Sequence, residues 1–536
     1  MTTTAAPQPA PQALNAAEAV LAPAFALGLA DALALIFRGR GYPYREVAAG
    51  VNRAANALLA LGLRPDERVL LLLKDSPELV FCHLGAIKAG GVAVTLNLRA
   101  DAEELAFAIA DSGCALLLLD AEYLPLHRAA AARAGVAPRV LVAGAGAPDY
   151  PGLTALLDAQ SPHCEAAPRA AGDMAFWIYT SGTTGRPKAA VHRQDNVLLA
   201  EAYLRDTLGV GAGTRLHATS KLFFAYALGT CLFGAFRLGA TTILHDGWPT
   251  PRSVAERVAR DRPEVVFSVP ALYRAMLREG VAAQPALRAV RAWVSAGEAL
   301  PAAVYRGWRE ATGAEIVEGM GATETVYMFL SGRPGDTRAG SAGRPAPGAE
   351  LKLVDARGQA IARPGEPGTL RVRMASTCAG YWNQPRETRA ALPDEWFATG
   401  DRFVFDEDGR WRHLGRQEDL LPGPGGGVNP ADIEAWALAL GGVTDAAAVA
   451  VEEPAGGDPV PRRVLFAVAA AAQRDGLGAA LRAGLAGRQA EWGAPWEVRW
   501  LEALPRTASG KVQRYRLRAA LAQGREGPGS ESKIIA

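Results

Sequence analysis

At 536 residues the chain is longer than one simple core accommodates, so two or more domains are expected. Apolar residues make up 49% and charged residues 21%, an ordinary globular profile, and a net charge of +2 gives no reason to expect nucleic acid or a membrane surface as partner. Cys82, Cys114, Cys164, Cys231 and Cys378 show neither metal-ligand spacing nor a disulfide framework, so reduced thiols and a cytoplasmic location are expected, and seven scattered histidines argue against a histidine-based metal centre.

Taken in chain order, residues 1–15 open polar and proline-rich and are expected to be disordered. The apolar stretch 17–36 contains Glu18 and Asp31, which speaks against a signal peptide or a membrane span. In 46–63, Val47, Val51, Ala54, Ala55, Leu58 and Leu59 share one helical face. A doubly covered strand is expected at 67–73, a helix at 77–90, and further strands at 91–97, 115–120, 139–144 and 241–246. That alternation predicts βαβ units with mainly parallel sheets. Beyond residue 340 the pattern changes: 349–355 and 368–374 alternate apolar and charged residues, as half-exposed antiparallel strands do. The glycine- and proline-rich segment 415–430 reads as an interdomain hinge, followed by a small α+β domain.

The strongest chemical signal is YTSGTTGRPK, residues 179–188, directly after the strand-like AFWIY. Gly182 and Gly185 let backbone amides turn toward an anion, while Thr180, Ser181, Thr183, Thr184 and Lys188 surround it with hydroxyls and positive charge, as a polyphosphate requires. Pro187 before the lysine and Ala189 after it separate this loop from the P-loop pattern.

With these residues the chain resembles the adenylate-forming superfamily of acyl-CoA synthetases, peptide-synthetase adenylation domains and beetle luciferases, over residues 28–520. SAGEALP (295–301), EGMGATE (318–324), FATGD (397–401), GRQED (415–419) and PRTASGK (505–511) match its remaining motifs in the expected order. The resemblance, with the strand and helix pattern, implies an α/β fold. A large N-terminal domain, 16–415, would hold mostly parallel sheets flanked by helices plus a distorted antiparallel β subdomain. A small mobile α+β domain, 416–523, would turn at a hinge near Glu418, and 524–536 would be disordered.

The resemblance also implies the site residues. ATP would lie against the phosphate loop, Gly297, Glu298, Ala299, Glu318, Gly319 and Met320, with Asp401 accepting from the ribose diol and Arg416 donating to the same sugar. Glu324 and Thr183 would serve magnesium, a hard cation that takes oxygen donors beside phosphates. Lys511, with Thr323 and Glu324, would stabilise charge at the α-phosphate as a carboxylate displaces pyrophosphate. Coenzyme A would then take the acyl group.

KLFFAYALG (221–229), SAGEALP and residues 318–336 most resemble benzoate–CoA ligases. On that reading Phe224, Ala225, Tyr226, Met320, Gly321 and Tyr327 wall a pocket for a small aromatic acid: benzoate, or a hydroxy-, amino- or fluoro-benzoate. Tyr327 departs from the histidine common there, and a phenol at this point either bonds a ring substituent or narrows the pocket. Pro422 replaces a common lysine within LPGPGGG, a segment that also holds Pro424, which leaves the acyl acceptor open between CoA and a carrier protein. The resemblance also leaves room for a short- or medium-chain acyl-CoA synthetase and, more remotely, for a non-catalytic nucleotide-binding relative. A monomer or homodimer is expected, and acetylation of Lys511 is a conceivable control.

Overall fold

The computed structural model describes residues 14–181, 186–423, 427–452, 461–493, 495–506 and 512–522. Of the segments expected to be disordered, 1–15 and 524–536, residues 1–13 and 524–536 lie outside the described residues, as do Gly182, Thr183, Thr184, Gly185, Pro424, Lys511 and the side chain of Ser181; Leu14 and Asn15 are instead ordered, Leu14 N–H donating to the Arg169 carbonyl at 2.8 Å. Contacts group the chain into two compact units, one reaching Leu351 and including Val372–Ala398, the other holding Lys352–Arg371 and the chain from Thr399.

Among the described residues the strands form four sheets. In the first unit, a seven-stranded sheet runs in the order 380–381, 187–193, 174–181, 92–95, 68–72, 116–119, 139–142. It is parallel from 174–181 onward and antiparallel at the 187–193 edge. A strand covered by helices on both faces has no polar side to present, which is why the sequence runs continuously apolar here. Val69, Leu70, Leu71 and Leu72 are accordingly all buried.

A nine-stranded sheet follows the order 344–345, 328–331, 316–321, 292–295, 265–268, 215–218, 241–243, 33–37, 40–43. Its six central strands, 316–321 to 33–37, are parallel, and the flanking pairs are antiparallel. The helices between strands begin where the sequence supplies caps. Ser76 accepts from Leu79 N–H at the start of Pro77–Lys88, and Asp101 with Glu104 closes a capping box on Ala102–Ser112. Ahead of the first helix, Ala16–Ala26, Asn15 is buried, capping Ala17 N–H and donating to the Ile87 carbonyl at 3.1 Å.

The helix Tyr44–Ala60 buries Val47, Val51, Ala54, Ala55 and Leu58 as its spacing predicts, but Leu59 is 44% exposed. One step of about 100° past Leu58 carries it off the buried stripe in the last turn. Cys82, Cys114, Cys231 and Cys378 are buried, Cys164 is half-buried, and all five are free thiols. No helix among the described residues is long and apolar enough to cross a membrane.

Strands 360–361, 350–354, 368–373, 397–405 and 411–416 make a five-stranded sheet. The pairs that flank its centre, 350–354 with 360–361 and 397–405 with 411–416, are antiparallel, the first as the alternation over 349–355 predicts. The small α+β part has a three-stranded sheet, 445–452, 461–468 and 496–500, whose two faces show period-two burial. Ala446, Ala448, Leu465 and Ala467 pack with Ile433, Leu481 and Trp492; Ala447, Val449, Val464 and Phe466 pack with Leu504, Leu517 and Leu521.

Candidate active site

The phosphate-loop motif joins two antiparallel strands. Thr180 pairs with Lys188 and Ser181 with Pro187, so the loop returns as a strand and no helix N-terminus follows it. Lys188 emerges at the start of that return strand, its Nζ 5.3 Å from the ring centroid of Tyr381. Tyr381 in turn donates its hydroxyl to Glu324 Oε1 at 2.6 Å. Residues from YTSGTTGRPK and EGMGATE, far apart in sequence, therefore meet through a tyrosine in neither motif.

The backbone around Glu324 is fastened on several sides. Cys378 N–H donates to the Glu324 carbonyl at 2.7 Å, and Ser376 Oγ to the Thr325 carbonyl at 2.7 Å. His192, four residues after Lys188, sits 3.0 Å through Nε2 from the Thr323 carbonyl and stacks on Phe176 at 4.8 Å. Burial lowers its pKa to about 4, so the imidazole is neutral, with Nε2 facing that carbonyl and Nδ1 3.3 Å from Asn196 Oδ1. Just beyond, Tyr327 N–H reaches back to the Thr325 carbonyl at 2.6 Å, closing a γ-turn around Val326, whose φ is +60°. A β-branched residue in that region is strained, and the surrounding bonds hold it there.

Glu324 itself is 9% exposed, and among the described residues no cationic side chain pairs with its carboxylate. A nearly buried, unneutralised carboxylate with one oxygen fixed by a phenol fits a cation. No cluster of three or more metal-ligating side chains exists among the described residues, and magnesium carried by phosphates with one or two carboxylates requires none.

The SAGEALP and EGMGATE segments meet at the carboxyl ends of adjacent parallel strands, Ser295 opposite Glu318. Gly297 and Ala299 are exposed, Glu298 is half-buried, and Leu300 N–H donates to Glu318 Oε1 at 2.8 Å. Burial pushes the Glu318 carboxyl up to about 8, with the Leu300 N–H pulling the other way. Gly319 is buried, Met320 half-buried and Gly321 exposed along the same strand.

Phe224, Ala225 and Tyr226 follow the parallel strand 215–218 and open a short helix that continues as a π-helical turn, Leu228–Gly234. Tyr226 turns its hydroxyl toward the Val294 carbonyl at 3.3 Å, at the ends of neighbouring strands, and meets Phe267 edge-on. Tyr327 lies over Gly229 with a buried hydroxyl that has no hydrogen-bond partner among the described residues; the charges that reach it are Arg237 and Glu201. The segment is anchored from behind: Leu222 N–H donates to Asp75 Oδ1 at 3.1 Å, and the buried Lys221 ammonium lies 4.0 Å from Asp75 Oδ2 and donates to the His245 carbonyl.

In the second unit, Asp401 is 3% exposed and its Oδ1 receives Arg416 Nε at 3.2 Å and His413 Nε2 at 3.1 Å. Asp401 and Arg416 are direct partners across an antiparallel pair, which puts both on one side of the sheet edge. Thr399 holds the turn before Asp401, accepting its N–H at 3.0 Å. Glu418 and Pro422 follow, and the Pro422 carbonyl is gripped by Arg463 through Nε at 3.1 Å and Nη2 at 2.8 Å.

Sequence reasoning missed Tyr381, His192 and His413. The first sits in GYW beside no recognised motif, although its strand borders the phosphate loop's return strand. His413 stands two residues before the GRQED motif, where strand alternation puts it on the same face as Gly415 rather than Arg416, and only the register shift in this strand pair brings it to Asp401.

Two helix-flanked sheets, mostly parallel, followed by an antiparallel sheet and a small α+β element, are the architecture of the adenylate-forming enzymes. The chain belongs to the AMP-binding enzyme family: that family's profile matches residues 24–382, and the profile of its C-terminal domain matches 432–511. It is 42% identical to a 3-hydroxybenzoate–CoA ligase of Aromatoleum sp. (strain CIB) over 515 residues, covering 96% of this chain and 98% of that one. It is 36% identical to a benzoate–CoA ligase of Thauera aromatica, covering 95% and 97% respectively. The crystal structure of the anthranilate CoA ligase AuaEII in complex with anthranoyl-AMP superposes with a TM-score of 0.87 at 31% identity, covering 96% of this chain and 99% of that one.

Proposed function

We propose that this protein is an aryl acid–CoA ligase, converting benzoate or a hydroxybenzoate, ATP and CoA into aryl-CoA, AMP and pyrophosphate. The observation that carries the reading is the convergence of Lys188 and Glu324 on one tyrosine, in a chain that matches hydroxybenzoate–CoA ligases along nearly its whole length.

In the first half-reaction a carboxylate oxygen of the acid bonds to the α-phosphorus while the bond from that phosphorus to the bridging oxygen of pyrophosphate breaks. Lys188 and the hydroxyls of 180–184 bind the departing phosphates, and Lys511 and Thr323 meet the charge on the α-phosphate oxygens. Glu324, with Thr183, would hold magnesium, which supplies charge neutralisation on the phosphates when bound. Asp401, already held by Arg416 and His413, keeps lone pairs for the ribose hydroxyls. Glu318, Gly319 and Met320 with Gly297, Glu298 and Ala299 border the base. Phe224, Ala225, Tyr226, Met320, Gly321 and Tyr327 enclose the ring and exclude water from the carboxylate. In the second half-reaction the CoA thiolate attacks the acyl carbonyl, a thioester forms, and AMP leaves. A C-terminal domain of 416–523, turning near Glu418, would withdraw Lys511 between the two steps.

The experiment is AMP formation dependent on ATP and CoA across benzoates, short aliphatic acids and carrier proteins, with Lys511→Ala as control. Turnover on a benzoate that collapses in the variant supports the reading. Turnover confined to aliphatic acids, or acyl transfer to a carrier protein but not to CoA, overturns it.

A further inference from the structure

Tyr381 lies on the two-residue strand Gly380–Tyr381, paired with Ala190 of the phosphate loop's return strand. Its position is over-determined. Its N–H donates to Thr388 Oγ1 at 2.9 Å, Ala379 N–H donates to the Val191 carbonyl, and Trp382 N–H to the Ala189 carbonyl. Gly380 has φ +139°, and a Cβ there would come within 2.5 Å of Thr388 Cγ2, so nothing larger fits at this point of the strap. The strap thus hangs on the return strand while residues 376–378 hold the backbone of Glu324 and Thr325.

From this fixed frame one side chain touches two groups of opposite charge. The phenol end donates to Glu324 Oε1 at 2.6 Å, and the ring lies 5.3 Å from Lys188 Nζ. A carboxylate that accepts from a fixed phenol is limited in where it can point, and an ammonium over the face of the same ring is held in place by it. The ring offers the ammonium a quadrupole face and its hydroxyl offers the carboxylate a neutral donor, so one residue orients both groups.

We infer that Tyr381 is a positioning residue which orients the Glu324 carboxylate and the Lys188 ammonium, so that a metal-chelated polyphosphate meets both. This rests on the reading of the site as one that binds ATP. Tyr381 acts through Glu324 and Lys188; it takes no part in bond making.

The test is calorimetric binding of ATP to the whole protein without acid or CoA, with Mg2+ and with EDTA. In the unaltered protein Mg2+ tightens ATP binding. Tyr381→Phe keeps the ring and loses the hydroxyl, and is expected to cut that metal-dependent gain by about tenfold, the scale of one hydrogen bond to a charged group, with metal-free binding unchanged. Tyr381→Leu also loses the ring face and is expected to weaken metal-free binding. Glu324→Gln removes the gain, and adding Tyr381→Phe to it changes nothing further. An unchanged gain in a Tyr381→Phe protein of normal melting temperature, or additive losses in the double variant, overturns the inference. Absence of ATP binding in the unaltered protein overturns instead the reading on which it rests.

Discussion

The ring of Tyr327 rests on Gly229, so closely that a Cβ at 229 would sit 3.0 Å from both Cδ1 and Cε1. Its hydroxyl is buried without a partner among the described residues, and a group in that condition costs about 1–3 kcal/mol relative to a solvated or bonded one. Tyr327→Phe should therefore raise the unfolding free energy of the free protein by about 1 kcal/mol. It should also lower kcat/KM for hydroxybenzoates relative to benzoate by about fivefold to tenfold, as one lost hydrogen bond implies. Denaturant titration and paired kinetics check both, and unaltered selectivity would remove Tyr327 from the recognition of ring substituents. Gly229→Ala should displace the ring and impair every aromatic acid alike.

Asp75 and Lys221 form a buried pair behind the Phe224 segment, and burial shifts each toward its neutral form, Asp75 up to about 6 and Lys221 downward. Asp75→Ala leaves the ammonium without its counter-charge and Leu222 N–H without its acceptor. A loss of about 3 kcal/mol of stability is expected, together with a raised KM for the aryl acid, because Leu222 leads directly into Phe224. Asp75→Asn, which keeps an acceptor for Leu222, should recover most of the KM effect but less of the stability. Equal KM values in the two variants would show that the pair stabilises without positioning.

Glu318 and His192 make stability depend on pH in opposite senses. With its folded pKa raised to about 8, Glu318 binds a proton in the folded state that the unfolded chain has already lost above its ordinary value near 4.5. Its contribution is complete below that ordinary value and is lost as pH rises through about 8, at up to about 1.4 kcal/mol per pH unit. His192, lowered to about 4, acts in reverse: its contribution is present above about 6.5 and is lost as pH falls toward 4. Glu318→Gln should flatten the decline of unfolding free energy between pH 5 and 8, measured by denaturant titration. A parallel, merely offset curve would contradict the placement of its proton.

Arg463 clamps the Pro422 carbonyl with two nitrogens. Arg463→Ala should loosen the segment after the hinge. Thioester formation is expected to change by about threefold or more in rate, the consequence of about 1 kcal/mol from a charge-assisted bond. Pyrophosphate release should stay within a factor of about two. Single-turnover measurements of each half-reaction separate the two, and a slowed first step would assign the clamp to adenylation.

Much of this was legible in the sequence, for identifiable reasons. Buried strands such as 68–72 and 116–119 announce themselves because coverage on both faces forbids polar residues. Asp401 and Arg416 belong to motifs fifteen positions apart, and antiparallel pairing makes them neighbours. Tyr381, His192 and His413 were not legible, because each acts through a partner brought up by tertiary packing, and nothing in the local pattern of residues marks that meeting. The return of the chain as a strand after the phosphate-loop motif was likewise hidden, and only the pairing of Thr180 with Lys188 reveals it.

The strained turn at Val326 has an evolutionary consequence. Within four residues the chain turns from Glu324, whose carboxylate faces Tyr381, to Tyr327, whose ring faces Gly229. A mutation that re-aims the aromatic wall to admit a new acid pulls on the same twisted link that sets the carboxylate. Lineages exploring new substrates here would trade diet against turnover, and second-site changes in the 376–382 strap are where the lost rate would be recovered.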